Sequence, residues 1–125
     1  MLLINCNAGY NPALLAQIIS TDKPIETRGR KTGYYKRLLH ETIGIVKTGT
    51  KDIDNGCIVA TAYVSDIIDL SNDHTKEQYS QMTKLDRNSK YWNNQTGLHL
   101  SDVTPVVMPI KVKVYPCCYY HMRLA

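Results

Sequence analysis

Apolar and polar residues alternate with a period of two over several stretches of the chain, and with a helical period over only two. Leu2 to Asn5 reads as a short strand. Asn11-Pro12 then offers a helix start, with Asn suited to capping and Pro to the first turn. Leu14, Leu15, Ile18 and Ile19 place one apolar stripe on a short helix that ends between Ser20 and Asp22. In Ile25 to Arg30, Ile25 and Thr27 alternate with Glu26 and Arg28, which predicts a strand with Glu26 and Arg28 on one face. A basic turn between Gly29 and Gly33 leads into Tyr35 to His40 and Ile43 to Lys47, both read as extended chain. Asp54-Asn55-Gly56 signals a tight turn into Cys57 to Val64, whose two faces are both apolar, as in a central strand buried on two sides.

From Asp73 the pattern becomes that of a polar helix, with Asp73 as its cap and Tyr79, Met82 and Leu85 spaced to touch the body. Asp86 to Ser101 reads as a long polar loop crossing the barrel surface, with Trp92 as an anchor. Ile110, Val112 and Val114 alternate with Lys111 and Lys113 in a half-exposed strand, and Cys118 to Leu124 forms the closing one. Five to six strands with two short helices, and no regular βαβ alternation, predict a small α+β barrel as a single domain over residues 1–125.

Composition and short motifs change this picture in four places. Nine Tyr and one Trp with no Phe give almost every ring a polar tip able to meet water or a ligand. Cys6, Cys57, Cys117 and Cys118 form no CxxC pair and read as reduced thiols, so neither a metal nor a cofactor is expected; His74, His99 and His121 show no ligand spacing either. Leu2, Leu3 and Ile4 are the only apolar run at the start, which supports neither a signal peptide nor a membrane span and makes the cytoplasm the expected location. Asn94-Gln95-Thr96 is a glycosylation sequon that would matter only in a secreted protein.

Charge is concentrated. Between Lys23 and Arg37 six cations, Lys23, Arg28, Arg30, Lys31, Lys36 and Arg37, face the single acid Glu26; this stretch carries +5 of a chain total of +4, leaving −1 for the rest. Such a patch draws phosphate-bearing ligands, and its pull weakens with salt. Within it, Glu26 and Arg28 on one strand face can meet a polar ligand together, the carboxylate accepting from amino groups and the guanidinium gripping a phosphate or carbonyl. Strict alternation sets Lys23 on the other face, and a bend at Pro24 would bring it back. Tyr34 and Tyr35 interleave with Lys31, Lys36 and Arg37, a composition suited to stacking on bases. The alternative for each of these is plain structure: an exposed edge pair, a solvated basic loop, packed tyrosines. His40-Glu41 are strand neighbours facing opposite sides and read as structural.

A helix with Pro12 near its start, then Lys23, Glu26 and Arg28 in the spacing K-x-x-E-x-R, then Lys31-Thr32-Gly33-Tyr34 and Leu38-Leu39-His40, resembles the ASCH family. Gly56-Cys57-Ile58-Val59-Ala60, Trp92 and Pro109-Ile110 sit where that family places its G-x-I-V strand, its aromatic residue and its last barrel strands. The resemblance implies a PUA-like barrel whose cleft, between the first helix and the sheet, binds RNA or a nucleotide through Lys23, Glu26 and Arg28, with Arg30, Lys31, Tyr34, Lys36 and Arg37 in support. It also implies an alternative. Some relatives are hydrolases, and one group removes the acetyl group from acetylated cytidine with a Lys, a Thr three residues later and a distant Glu. The alternative for this chain is therefore a small hydrolase, an amidohydrolase on acetylated cytidine or a ribonuclease, using the same cleft. Here Lys23 matches the lysine, Glu26 occupies the threonine position, Thr27 points away, and Glu77 is the nearest candidate for the distant acid. In that reading Glu26 would serve as general base and Lys23 would stabilise an oxyanion. A third reading is an accessory interaction protein that uses a strand edge or its Tyr-rich tail.

Overall fold

A computed structural model describes residues 1–9, 13–116 and 119–125, with Leu14 described by its backbone alone. The proposed helix start at Asn11-Pro12 and the pair Cys117-Cys118 lie outside these residues. Elements follow in the order β1 (Leu2–Asn7), α1 (Leu14–Ile19), β2 (Ile25–Arg28), a 3-10 helix (Thr32–Leu38), β3 (Thr42–Thr48), β4 (Cys57–Asp69), α2 (Asp73–Gln78), α3 (Ser80–Thr83), β5 (Thr96–Lys111) and β6 (Tyr120–His121).

All six strands join one sheet in the order β2-β5-β4-β3-β1-β6. Only β1 and β3 run parallel; the other pairs are antiparallel. The sheet curls into a half-barrel. At one end it closes further: beyond β5, Val112 bridges to Leu124, and the Lys113 amide donates to the Arg123 carbonyl at 2.7 Å. The concave side is filled by period-two sets from neighbouring strands, Ile43 and Ile45, Ala60, Ala62 and Val64, Leu98 and Leu100, with Ile18 of α1 laid across them. As the pattern required, β4 lies inside the sheet, and Cys57 to Ala60 are buried on both faces. Gly44 of β3 is glycine for a packing reason, since a Cβ there would lie 2.6 Å from Cδ2 of Leu3.

Five local expectations are corrected. Tyr35 to Leu38 is helical where extended chain was expected, because Tyr35 and Leu38 are the buried positions and a 3-10 turn brings residues three apart to one side. The polar helix breaks at Tyr79 into α2 and α3, and its cap is Asn72, whose side chain accepts from the Thr75 amide at 2.9 Å; Asp73 is instead its first residue. The loop ends at Thr96, where β5 begins and takes in residues expected to be loop up to Ser101. At the other end of the chain, β6 is limited to Tyr120–His121. Strand β2 likewise stops at Arg28, and Tyr79 and Met82 do pack against Ile25, Ile68 and Leu70.

Candidate functional site

The site lies where the barrel fails to close. Among the described residues, strand β2 has β5 on one side and no strand on the other, while β1 keeps β6 beside it only at Leu2 and Leu3. The stretches Asn5 to Asn7 and Lys23 to Gly29 therefore flank an open seam, and along it runs a cleft of about 370 Å³. Gln17 of α1 contributes to one wall; Thr83, Lys84, Leu85, Tyr91 and Asn94, from α3 and the loop after it, contribute to the other.

Three bonds converge on one oxygen inside the cleft. Oε1 of Glu26 accepts from Lys23 Nζ at 3.0 Å, from Arg28 Nη1 at 3.1 Å and from the Thr27 amide at 3.2 Å. Lys23 thus joins the other two side chains. It lies before β2, where the chain bends at Pro24: the Lys23 amide donates to Gln17 and the Pro24 carbonyl accepts from Leu100. Lys23 and Glu26 are each only 5% exposed. Oε2 takes none of the three bonds, and Glu26 is among the residues that line the cleft.

Burial alone would raise the Glu26 pKa, but the positive charges of Arg28 and Lys23, and their hydrogen bonds, outweigh it and hold the carboxyl below its ordinary 4.5. Cys6, on the cleft floor, shows the opposite balance. Its burial, reinforced by the Glu26 charge and only partly offset by Arg28 and Lys23, pushes the thiol up to about 12, so it stays protonated and unreactive at neutral pH.

Arg28 is committed to the protein on several sides. Besides Glu26, it donates from Nη1 to the Thr27 carbonyl at 2.8 Å and from Nη2 to the Asn5 carbonyl at 2.7 Å. Both main-chain polar groups of Thr27, on the unpaired edge of β2, are in this way taken up by the site's own side chains. Asn5 is itself fixed, donating from Nδ2 to the Tyr115 carbonyl and accepting at Oδ1 from the Tyr120 hydroxyl at 2.8 Å.

The remaining expected residues lie outside the cleft lining. Lys31, Lys36 and Arg37 are exposed on and beside the 3-10 helix, and Arg37 Nη2 lies 3.5 Å from Nε2 of His121. The Arg30 guanidinium covers the Tyr34 ring at 4.6 Å, and Tyr34 meets Tyr35 and Tyr119 edge-on. This patch begins next to the cleft, since Gly29 lines it and Arg30 follows. Glu77 is half-exposed on α2 and paired with Arg87 at 2.7 Å, outside the lining. Thr27, expected to point away, is among the lining residues, and its hydroxyl accepts from Asn94 Nδ2 at 3.0 Å. Asn5, Gln17 and Asn94 were not singled out in the sequence. Asn5 left one trace, a polar residue inside an otherwise apolar strand; Gln17 and Asn94 left none. Among the described residues no His, Cys, Asp and Glu side chains group to hold a metal.

The chain matches no protein-family profile and no curated protein sequence. Solved structures do resemble it. The crystal structure of ASCH from Zymomonas mobilis superposes with a TM-score of 0.61 at 20% identity, covering 88% of this chain and 72% of that one. The fold is ASCH-like. A tyrosine-to-phenylalanine mutant of the Zymomonas mobilis protein gives the same TM-score and identity over 88% and 74% of the two chains, and a serine-to-alanine mutant gives 0.59 at 19% over 88% and 72%. Within this ASCH-like half-barrel, none of the described helices is long and apolar enough to cross a membrane.

Proposed function

We propose that the cleft binds one nucleotide unit and that its partner is RNA. The observation that carries this reading is the buried Glu26 carboxylate, ionised between two cations and lining a cleft of about 370 Å³, with all three of its bonds on Oε1. That volume falls within the range of small-molecule sites, roughly 300–1,000 Å³. Oε2 accepts from an amino or ring N–H of a base, and Lys23, which uses one of its three N–H groups on Glu26, has others for a carbonyl or phosphate oxygen. Arg28 completes the triad by holding Glu26 in its ionised form. Arg30, Lys31, Lys36 and Arg37, with Tyr34 as a stacking surface, supply attraction to the flanking backbone.

A hydrolytic role for the same cleft fits the geometry less well. A general base works best with a pKa near the working pH, and Glu26 is held below the ordinary carboxylate value. Fluorescence anisotropy with a labelled single-stranded RNA, repeated over a range of salt, tests the proposal. Affinity is expected to fall steeply with salt, and to drop about tenfold in Glu26→Gln through loss of one charged acceptor. Binding that is flat across salt sinks the reading. Incubation with RNA and with acetylated cytidine decides the hydrolytic alternative, which requires a product that disappears in the same variant.

A further inference from the structure

We propose that Arg28 is a positioning residue, a clip that spans the open seam of the barrel and presents Glu26 to the ligand, in place of gripping phosphate itself. Strands β1 and β2 share no ladder, so at this point the barrel lacks the repeated main-chain bonds that hold its other strands together. Arg28 crosses that gap. One guanidinium joins Glu26 Oε1, the Thr27 carbonyl and, on the facing strand, the Asn5 carbonyl. The receiving side is rigid, because the Asn5 side chain is held at both ends by Tyr115 and Tyr120. A planar fork with five donors can meet three acceptors at once, whereas a lysine ammonium carries the same charge on a flexible stem and cannot reproduce the fork. The same bonds determine which carboxylate oxygen is occupied, leaving Oε2 for the base.

Cys6 follows Asn5 on the cleft floor and is 2% exposed, so it reports whether the seam stays shut. Cys57, 6% exposed at the start of β4 and paired with Lys111, lies outside the cleft lining and serves as the internal reference. The test is maleimide labelling at one fixed pH, with peptide mass mapping to follow Cys6 and Cys57 separately. In Arg28→Met, Cys6 is expected to label about ten- to a hundredfold faster, the range that corresponds to losing a charge-assisted hydrogen bond, while Cys57 keeps its wild-type rate. Arg28→Lys, which keeps the charge and serves if the Met variant does not fold, is expected to label at Cys6 nearly as fast as Met would.

A second arm rests on the RNA-binding reading. Affinity in Arg28→Lys and Arg28→Met falls about tenfold, but the slope of log affinity against log salt stays that of the wild type, since no phosphate contact has gone. The clip is overturned if Cys6 keeps its wild-type rate, if Cys6 and Cys57 rise together, if lysine restores protection, or if the slope in the Met variant falls by about 0.7, the share of one phosphate contact on a single strand. If the wild type binds no RNA, the RNA reading falls, and the thiol arm judges the clip on its own.

Discussion

Nζ of Lys23 stands 3.0 Å from Oε1 of Glu26, with both side chains almost wholly withdrawn from water. A buried ion pair of this kind adds little to stability by existing, because two charges have been desolvated to make it, but breaking it strands a charge. Lys23→Met is therefore expected to cost about 3 kcal/mol, the low end for removal of one partner from a buried pair, since Arg28 still faces Glu26. Urea unfolding checks this. A loss below about 1 kcal/mol would mean that the pair is as weak as an exposed one.

The same carboxylate sets a pH dependence. Glu26 titrates lower in the folded chain than in the unfolded one, so its contribution is complete above the ordinary value of 4.5 and is lost as pH falls from there through the folded value. Urea midpoints for wild type and Glu26→Gln should converge as the pH is lowered below 4.5 and differ most near neutrality. A constant difference from pH 7 to pH 3 would contradict the depressed titration.

Asn72, one residue before α2, offers an independent check on local structure. Its Oδ1 takes both the Thr75 amide and the Thr75 hydroxyl, while Asp73 next to it binds Arg87 and the Trp92 indole. Asn72→Ala should cost about 1 kcal/mol by urea unfolding, the usual value of a lost helix cap. Asp73→Asn should leave the cap intact and register in Trp92 fluorescence, because the changed group touches the indole.

These cases also show how far the sequence could be read. The period-two pattern located β2, the doubly apolar run located β4, whose first four residues are buried on both faces, and Glu26 with Arg28 followed from the alternation in β2. The rule failed for Lys23, which precedes the strand and is redirected at Pro24, and for Tyr35 to Leu38, where two buried residues three apart suit a 3-10 turn. The far wall of the cleft was invisible. Asn94 reaches Thr27 across 67 residues of sequence, and the Asn5 carbonyl that receives Arg28 belongs to a main chain common to every residue. Long-range main-chain acceptors have no signature in local pattern, and the seam itself exists only once the strand order is known.

The basic patch is separable from the cleft, which makes its role measurable. Lys31 and Lys36 are exposed and do not line the cleft, so neutralising both should leave the Lys23, Glu26 and Arg28 bonds intact. If each meets one phosphate of a bound single strand, Lys31→Gln with Lys36→Gln lowers the salt slope of RNA affinity by about 1.4, twice the share of one contact. Affinity should then fall at low salt and approach the wild-type value as salt rises, because the lost term is the one that counterions already screen. Binding curves at four salt concentrations decide it. An unchanged slope with uniformly weaker binding would place both lysines away from the RNA backbone and confine recognition to the cleft.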